Sequence, residues 1–367
     1  MFSAVLLIAL SAAQAPAQNV NPDRLYSEAV DAQLHGDYQT AIRDYRSLLQ
    51  IRPQMVEARV NLGASLVRAG QFDAGIAEYR AALPLMQDKT GVQFNIALAY
   101  YKKGDWKEAR EQFAPLAHAR PKDVRIAILL GDCEVKLDNN AAAVALLAPL
   151  EAENSQNPDF DFIYASALIG AGKRREGIER AEKAAELGNG ADAYALAGVT
   201  LLQINEYERA RKDLDTAIRL EPKLPAAMYS MDGIARDKTG EPQLAEPVFR
   251  EALARDPNDF DANLYLGAIL YKRRQMDEAK PYLEHALALN PKSAMARYEN
   301  AMLKSTSGKT EEAAKELEGL VKDDPDWLEP HVELASLYYK LKRPADGARE
   351  RQIVDRITAE QQKKGPQ

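Results

Sequence analysis

Apolar residues recur along the chain at the spacing of amphipathic helices joined by short turns. Residues 260–293 illustrate the pattern, with a first helical stretch, a turn at Arg274 and Gln275, and a second helical stretch. The apolar positions of the two stretches are Leu264, Leu266, Gly267 and Leu270, followed by Ala279, Leu283, Ala286 and Leu287. Because proline lacks an amide donor, Asn290 and Pro291 end the second stretch. The segment is therefore predicted to form a pair of helices.

Two series of small residues repeat this pattern at intervals of about 34 residues. The first series is Ala29, Gly63, Ala97, Gly131, Ala165, Gly198, Gly233, Gly267, Ala301 and Ala335. The second series is Ala41, Gly75, Ala109, Ala143, Gly177, Ala210, Ala245, Ala279, Ala313 and Gly347. Both series shift register together around Gly198 and Gly233. Because glycine and alanine let two helices approach closely, each repeat is predicted to contain one helix crossing at these residues.

Glycine and proline mark the ends of the predicted helices. Glycines that can adopt the left-handed conformation fall between the paired helices, at Gly36, Gly70, Gly104, Gly172, Gly240 and Gly308. Prolines that stop the second helices are Pro53, Pro121, Pro222, Pro257 and Pro325. Large residues that are predicted to pack against the next repeat are Tyr45, Tyr79, Phe113, Leu147, Leu214, Phe249, Leu283 and Leu317. Since one helix pair cannot bury these faces alone, the pairs are predicted to stack as a solenoid.

These residues resemble the tetratricopeptide repeat family. The matching segments are Asn61-Leu62-Gly63, Tyr265-Leu266-Gly267, Ala109 with Phe113 and Pro121, and Ala245 with Phe249 and Pro257. The resemblance implies an all-α fold, a right-handed superhelical α-solenoid of about ten stacked antiparallel helix pairs, which we place at residues 22–361. It also implies a binding scaffold in which the first helix of each pair lines a concave groove. Because the family binds many partners, the resemblance is far more specific for fold than for function.

The middle of the chain departs from the pattern. Ser155 stands where a terminal proline is expected, Ala181 replaces the usual large residue, and residues 188–190 read Gly-Asn-Gly. Residues 154–191 are therefore predicted to be the least regular part of the solenoid. Prolines also fall inside predicted second helices, at Pro115, Pro149, Pro247 and Pro281. We expect these prolines on the solvent-facing side, where water replaces the lost backbone hydrogen bond; a tuned superhelical curvature is the alternative.

Both ends of the chain differ from the repeats. Residues 4–13 form an apolar stretch, and Ala15-Pro16-Ala17 follows as a small-x-small cleavage site. Residues 1–17 are predicted to be a signal peptide cleaved after Ala17, although the first residues lack the usual Lys or Arg, and a disordered cytoplasmic leader is the alternative. Residues 18–21 are then a short linker and residues 362–367 a polar tail. We expect an exported protein, periplasmic or secreted, without an integral membrane segment.

Composition narrows the chemistry. The 48 Lys and Arg residues against 55 Asp and Glu leave a net charge of −7, which disfavours bulk electrostatic binding to nucleic acid. Cys133 is the single cysteine, so an intrachain disulfide cannot form, and we interpret it as a buried packing residue. The four histidines share no metal-ligand spacing, and no phosphate loop or nucleophile motif is present. No catalytic, cofactor-binding or metal-binding residue is therefore predicted, and an enzyme is the least favoured of three functions.

Charged residues lie at both ends of the predicted first helices. Acids begin them at Asp23, Glu57, Asp159, Asp192, Asp261 and Glu329, and bases end them at Arg68, Lys102, Lys136, Lys238, Lys272 and Lys340. This arrangement suits the helix dipole and also gives the groove opposed acidic and basic rims, which favour an extended peptide of mixed charge. The partner-binding residues predicted in the groove are Phe94, Leu98, Tyr101, Tyr271, Tyr298, Met302 and Tyr339. The alternative is that these side chains only pack between repeats.

Three functions follow from this pattern. The leading hypothesis is a non-enzymatic scaffold that holds a protein segment in its concave groove, within a cell-envelope assembly or secretion complex. The alternative is a polysaccharide-export accessory protein that binds glycan through its aromatic side chains. The third is an enzyme with a site in the irregular middle. Family members that capture a C-terminal carboxylate use a set of Lys, Asn and Arg residues of which only Asn61 is present here, so that binding mode is not expected.

Overall fold

The computed structural model describes residues 21–364, which form α-helices, single helical turns and connecting turns without a strand. The helices are α1 (Pro22–Leu34), α2 (Tyr38–Ile51), α3 (Val56–Arg68), α4 (Phe72–Ala82), α5 (Thr90–Lys103), α6 (Trp106–Ala119), α7 (Val124–Lys136), α8 (Asn140–Leu147), α9 (Pro158–Gly170), α10 (Arg174–Ala184), α11 (Gly190–Gln203), α12 (Tyr207–Leu220), α13 (Ala226–Lys238), α14 (Pro242–Arg255), α15 (Phe260–Lys272), α16 (Met276–Leu289), α17 (Ala294–Thr306), α18 (Thr310–Asp323), α19 (Leu328–Lys340) and α20 (Pro344–Lys364). The predicted all-α fold of helix pairs is confirmed. Helix α20 continues beyond residue 361, where the polar tail was predicted to begin. The predicted leader over residues 1–17 and residues 365–367 of the tail lie outside the described range.

Left-handed residues separate the two helices of each pair. All six glycines that the sequence places at these turns have φ between 77° and 84°. Four further turns place Asp138, Asn205, Arg274 and Lys342 at φ between 59° and 65°. Left-handed backbone is costly for residues with a Cβ atom, because Cβ crowds the following carbonyl oxygen. The repeat geometry therefore imposes this conformation even where the sequence does not supply glycine.

The small residues lie where the paired helices cross, as predicted. A Cβ atom added at Gly63 would lie 2.8 Å from the Tyr79 ring, and one at Gly233 would lie 2.6 Å from the Phe249 ring. At Gly267 the same atom would lie 2.6 Å from Leu283. In these three repeats the large residue of the second helix sits over the small residue of the same repeat, which the sequence did not indicate. Tyr79 also shares a core cluster with residues of α5, the predicted contact with the next repeat.

The described residues divide into two compact units, the first ending at Arg174 and the second beginning at Arg175. Within the first unit, three clusters of buried side chains follow one another from α1 to α9. Within the second unit, one cluster extends from α13 to α17 and another from α17 to α19. In each unit the second helix of one repeat packs against the first helix of the next, as in α2 with α3 and α14 with α15. Stacking of neighbouring repeats therefore builds the core of each unit.

The irregular segments agree in part with the prediction. The backbone is kinked between α10 and α11, with Gly188 at φ 135° and Gly190 at φ 23°, inside the stretch predicted to be irregular. Irregularity begins earlier than residue 154, however, because Pro149 lies in a 3₁₀ turn at Ala148–Leu150 after α8 has ended. The placement of Pro149 inside a second helix was therefore wrong. A similar 3₁₀ turn at Leu83–Leu85 was not predicted.

The remaining internal prolines lie inside helices, Pro115 in α6, Pro247 in α14 and Pro281 in α16. All three are exposed to solvent, as predicted, so water can reach the carbonyl groups that lose a hydrogen bond. The acidic and basic residues predicted at the ends of the first helices occupy first and last helical turns, as at Asp261 and Lys272 of α15. None of the helices between residues 21 and 364 combines the length and apolar composition that a bilayer span needs.

Candidate functional site

A cleft of about 290 Å³ lies on the second unit, on the face formed by first helices α13, α15, α17 and α19. We refer to it as the cleft throughout. It is lined by Asp237, Lys238, Leu264, Tyr265, Ala268, Ile269, Lys272, Met295, Tyr298, Glu299, Trp327 and Glu329. Every lining residue except Trp327 belongs to a first helix, and Trp327 immediately precedes α19. The cleft therefore occupies the helical face that the sequence predicted for partner binding.

Three half-buried aromatic side chains shape the cleft. The ring of Tyr265 stacks on the buried ring of Phe249, with centroids 5.8 Å apart and planes 12° apart. The rings of Tyr298 and Trp327 are 5.4 Å apart and inclined at 43°. Packing on one side fixes these rings while the other side borders the cleft. Rigid aromatic groups of this kind contribute much of the binding energy in protein interfaces.

Glu299 gives the cleft its unusual charge. It is only 9% exposed, yet its carboxylate has no hydrogen-bond or ion-pair partner among the described residues, while the side chain still lines the cleft. Burial raises the pKa of Glu299, and the positive charge of Lys272 acts in the opposite direction. Burial also raises the pKa of the Tyr298 hydroxyl, as do the nearby charges of Glu333, Glu299 and Glu329. The cleft is therefore an electronegative site with one buried, unpaired acid.

The other site residues predicted in this unit, Tyr271, Met302 and Tyr339, do not line the cleft. The Tyr271 hydroxyl donates a hydrogen bond to the carbonyl oxygen of Met302 at 3.3 Å, so both residues join α15 to α17. Tyr339 is 42% exposed, and its ring packs between Gly347 and the Arg351 guanidinium, 5.5 Å from the ring centroid. Of the four, Tyr298 alone lines the cleft.

Phe94, Leu98 and Tyr101 lie on α5 of the first unit and have different surroundings. The Tyr101 hydroxyl donates a 2.6 Å hydrogen bond to Asp132, and the ring packs edge-on against Trp106. Leu98 packs against the core cluster of this region. Phe94 borders an open depression of about 660 Å³, and the Arg125 guanidinium lies 4.6 Å from the centroid of its ring. Phe94 is thus the member of this trio that borders an open surface.

Tyr298 is the one lining residue that was predicted as a site residue, and three of the others, Tyr265, Trp327 and Glu299, matter most for the cleft. Tyr265 matches the family pattern and was interpreted as part of that motif. Trp327 stands between two helices, outside the periodic positions. Glu299 follows Tyr298 directly, on a helix position that gives no sign of burial. The signal that could have found Tyr265 and Trp327 is their aromatic character one repeat either side of Tyr298.

Cys133 and His331 are both buried away from the cleft. Cys133 is fully buried, and burial raises the pKa of its thiol to about 12, which agrees with a packing role. His331 is buried between α19 and α20, where its ring nitrogens contact Glu350 at 2.6 Å and the carbonyl oxygen of Pro325 at 3.1 Å. Within residues 21–364, no three His, Cys, Asp or Glu side chains are grouped in a way that could hold a metal ion.

Comparison with known proteins finds sequence models of one repeat family along most of the chain. Models of the tetratricopeptide repeat match residues 32–93, 238–304 and 270–337, residues 94–158, and residues 191–224. These matches cover more than half of the chain.

Relatives and solved structures are similar at low identity. The human protein O-mannosyl-transferase TMTC3 is 23% identical over 85% of this chain and 36% of its own length. The type IV pilus assembly protein PilF of Pseudomonas aeruginosa is 29% identical over 41% of this chain and 60% of its own length. The chain thus spans less than two thirds of either relative. The solved Cut9-Hcn1 hetero-tetramer of the APC/C contains a chain with the same fold, at TM-score 0.50 and 12% identity, over 92% of this chain and 88% of that one. On the family matches, the protein belongs to the tetratricopeptide repeat family.

Proposed function

We propose that the protein is a non-enzymatic scaffold that holds an extended segment of a partner protein in the cleft of its second unit. The observation that carries this proposal is the alignment of four successive first helices around one cleft with three partly exposed aromatic rings. Met295 is exposed at the edge of the same cleft and adds an apolar surface for an entering side chain. Rigid aromatic and apolar groups beside charged helix ends suit a peptide that carries both kinds of residue.

The cellular setting is also a proposal. The pattern of residues 4–17 supports export to the periplasm or the cell exterior. PilF, with which this chain shares 29% identity over 152 residues, is named for type IV pilus assembly, and this supports a role in an envelope assembly or secretion complex. Fractionation of cells that express the full chain with a C-terminal tag tests the location. Recovery of the tagged protein entirely in the cytoplasm, with residues 1–17 retained, would contradict it.

Partner capture tests the binding role. The purified protein is immobilised and exposed to a cell extract, and bound proteins are identified by mass spectrometry and then tested as purified proteins. Tyr298→Ala removes a ring from the cleft and should lower recovery of the partner by about tenfold or more, since aromatic anchors at an interface often contribute over 1 kcal/mol. Tyr282→Ala is the matched control, because Tyr282 is a half-buried tyrosine of the second helix α16. Equal recovery with wild type and Tyr298→Ala would exclude the cleft as the binding site.

Aromatic rings can also stack on sugars, so a glycan array is run with the same variants. Binding to a glycan that depends on Tyr298, together with no captured protein, would replace the scaffold proposal with the polysaccharide-export alternative. Substrate turnover that persists through purification would refute the non-enzymatic part of the proposal.

A further inference from the structure

We propose that the cleft recognises a cationic side chain, Arg or Lys, of the bound segment, with Glu299 as its counter-ion and the rings of Tyr298 and Trp327 as its walls. This inference rests on the proposed function and specifies its ligand chemistry. Its basis is the combination of an unpaired buried acid and two inclined aromatic rings at one opening.

Glu299 is largely buried and has no partner among the described residues, so only water that enters the cleft compensates its carboxylate. A carboxylate taken out of water is unfavourable unless a donor or a positive charge compensates it. Lys272 lowers the pKa of Glu299 electrostatically but forms no ion pair with it. An apolar side chain in the cleft would remove water from Glu299 and leave the carboxylate uncompensated. A cationic group would supply the missing charge and hydrogen-bond donors.

The aromatic walls suit the same ligand. The rings of Tyr298 and Trp327 contact each other, with centroids 5.4 Å apart and planes inclined at 43°, so a ligand packs against the ring faces that border the cleft. A cation against the face of Trp or Tyr is attracted by the ring quadrupole, and an arginine guanidinium also stacks on the ring. The protein already uses this pairing internally in the same unit, where the Arg255 guanidinium lies 4.2 Å from the centroid of the Tyr229 ring.

Charge around the cleft favours a cation over an anion. The acids that line it are Asp237, Glu299 and Glu329, and the bases are Lys238 and Lys272. Glu333 also acts on Tyr298 from α19. The two lysines end α13 and α15, so they lie towards one edge of the cleft. A segment with a basic residue at Glu299 and an acidic neighbour towards these lysines matches this distribution.

The probe is a random heptapeptide library displayed on phage. Phage that bind the immobilised full chain are selected from it. We expect Arg or Lys to be enriched at one position of the selected peptides. A selected peptide is then synthesised with Arg and with citrulline, which keeps the shape of the side chain but removes its charge. We expect the Arg peptide to bind about 10- to 100-fold more tightly, from a charge-assisted hydrogen bond and a cation–π contact.

Matched variants assign this preference to the cleft. Glu299→Gln should reduce the ratio of Arg to citrulline affinity to nearly one, whereas Glu284→Gln, which removes an exposed acid of α16, should leave the ratio unchanged. Tyr298→Phe should keep the ratio and Tyr298→Leu should lower it. Circular dichroism verifies that each variant is folded.

The outcomes separate this inference from the proposed function. Selected peptides without a basic position, or an equal preference for Arg in wild type and Glu299→Gln, would overturn the cationic ligand and leave peptide binding intact. Selected peptides whose binding is unaffected by Tyr298→Leu would move the binding site away from the cleft and overturn both. Failure to select any peptide, together with failure to capture any protein partner, would overturn the proposed function itself.

Discussion

Replacement of Gly233 by alanine tests whether the small residues set the approach of paired helices. Gly233 lies in α13, and a Cβ atom there would lie 2.6 Å from the Phe249 ring, which is fully buried and cannot swing aside into solvent. Overpacking of this kind costs about 1 to 3 kcal/mol. The lower backbone entropy of alanine in the unfolded chain offsets about 0.5 to 1 kcal/mol of that cost. The net expectation for Gly233→Ala is a loss of about 0 to 2.5 kcal/mol.

Gly91→Ala is the matched control, because Gly91 is also helical, lies in α5, and has no atom within 4 Å of an added Cβ. It should stabilise its helix by about 0.5 to 1 kcal/mol. The difference between the two variants removes the shared backbone term and leaves a packing cost of about 1 to 3 kcal/mol. Native-state hydrogen exchange of the amides in α5 and α13 measures both local free energies, which suits a protein whose repeats can open separately. Equal stabilisation by the two substitutions would refute the close crossing at Gly233.

Three further predictions address the turns, a buried acid and Tyr101, a predicted site residue outside the cleft. Arg274→Gly should raise the free energy of unfolding by about 0.5 to 1 kcal/mol, because Arg274 has φ 65° and forms no side-chain hydrogen bond or ion pair among the described residues; an unchanged denaturation midpoint would contradict this. Asp213 is 4% exposed, and burial followed by the charge of Glu182 raises its pKa from 3.8 to about 7, so the folded state binds a proton between about pH 4 and 7 that the unfolded state releases. The stability that this group contributes is therefore lost as the pH rises through about 7. Asp213→Asn should raise the free energy of unfolding at pH 8 by on the order of 1 to 4 kcal/mol more than at pH 4. Equal effects of the substitution on urea denaturation at both pH values would refute this assignment. Tyr101→Phe should destabilise the first unit by about 1 to 3 kcal/mol, because buried Asp132 loses its donor, while partner binding stays unchanged; reduced affinity of the folded variant would show instead that the Tyr101 hydroxyl takes part in binding.

Sequence periodicity predicted the helix pairs and one member of the cleft. Ala29 and Ala41 illustrate why the fold can be predicted from the sequence. Both belong to series that recur in every repeat, and both are fully buried. Tyr298 could be predicted for a related reason, because the positions of the first helices follow directly from the repeat period. Tyr101 shows the limit of prediction from the repeat period. Its hydroxyl donates a hydrogen bond to Asp132 on the next first helix, thirty-one residues further along the chain. A pattern within one helix cannot report such a partner.

The amino-acid sequence by itself determined the helix pairs, their stacking and the positions of their crossings. These features repeat locally, and each depends on the small size of glycine and alanine, the missing amide of proline or the left-handed freedom of glycine. Only the tertiary structure decided that Glu299 is buried without a partner beside Tyr298 and Trp327. Burial and unmet hydrogen bonds depend on which side chains neighbouring helices bring together. The distances between those side chains are not encoded in the period of any single helix.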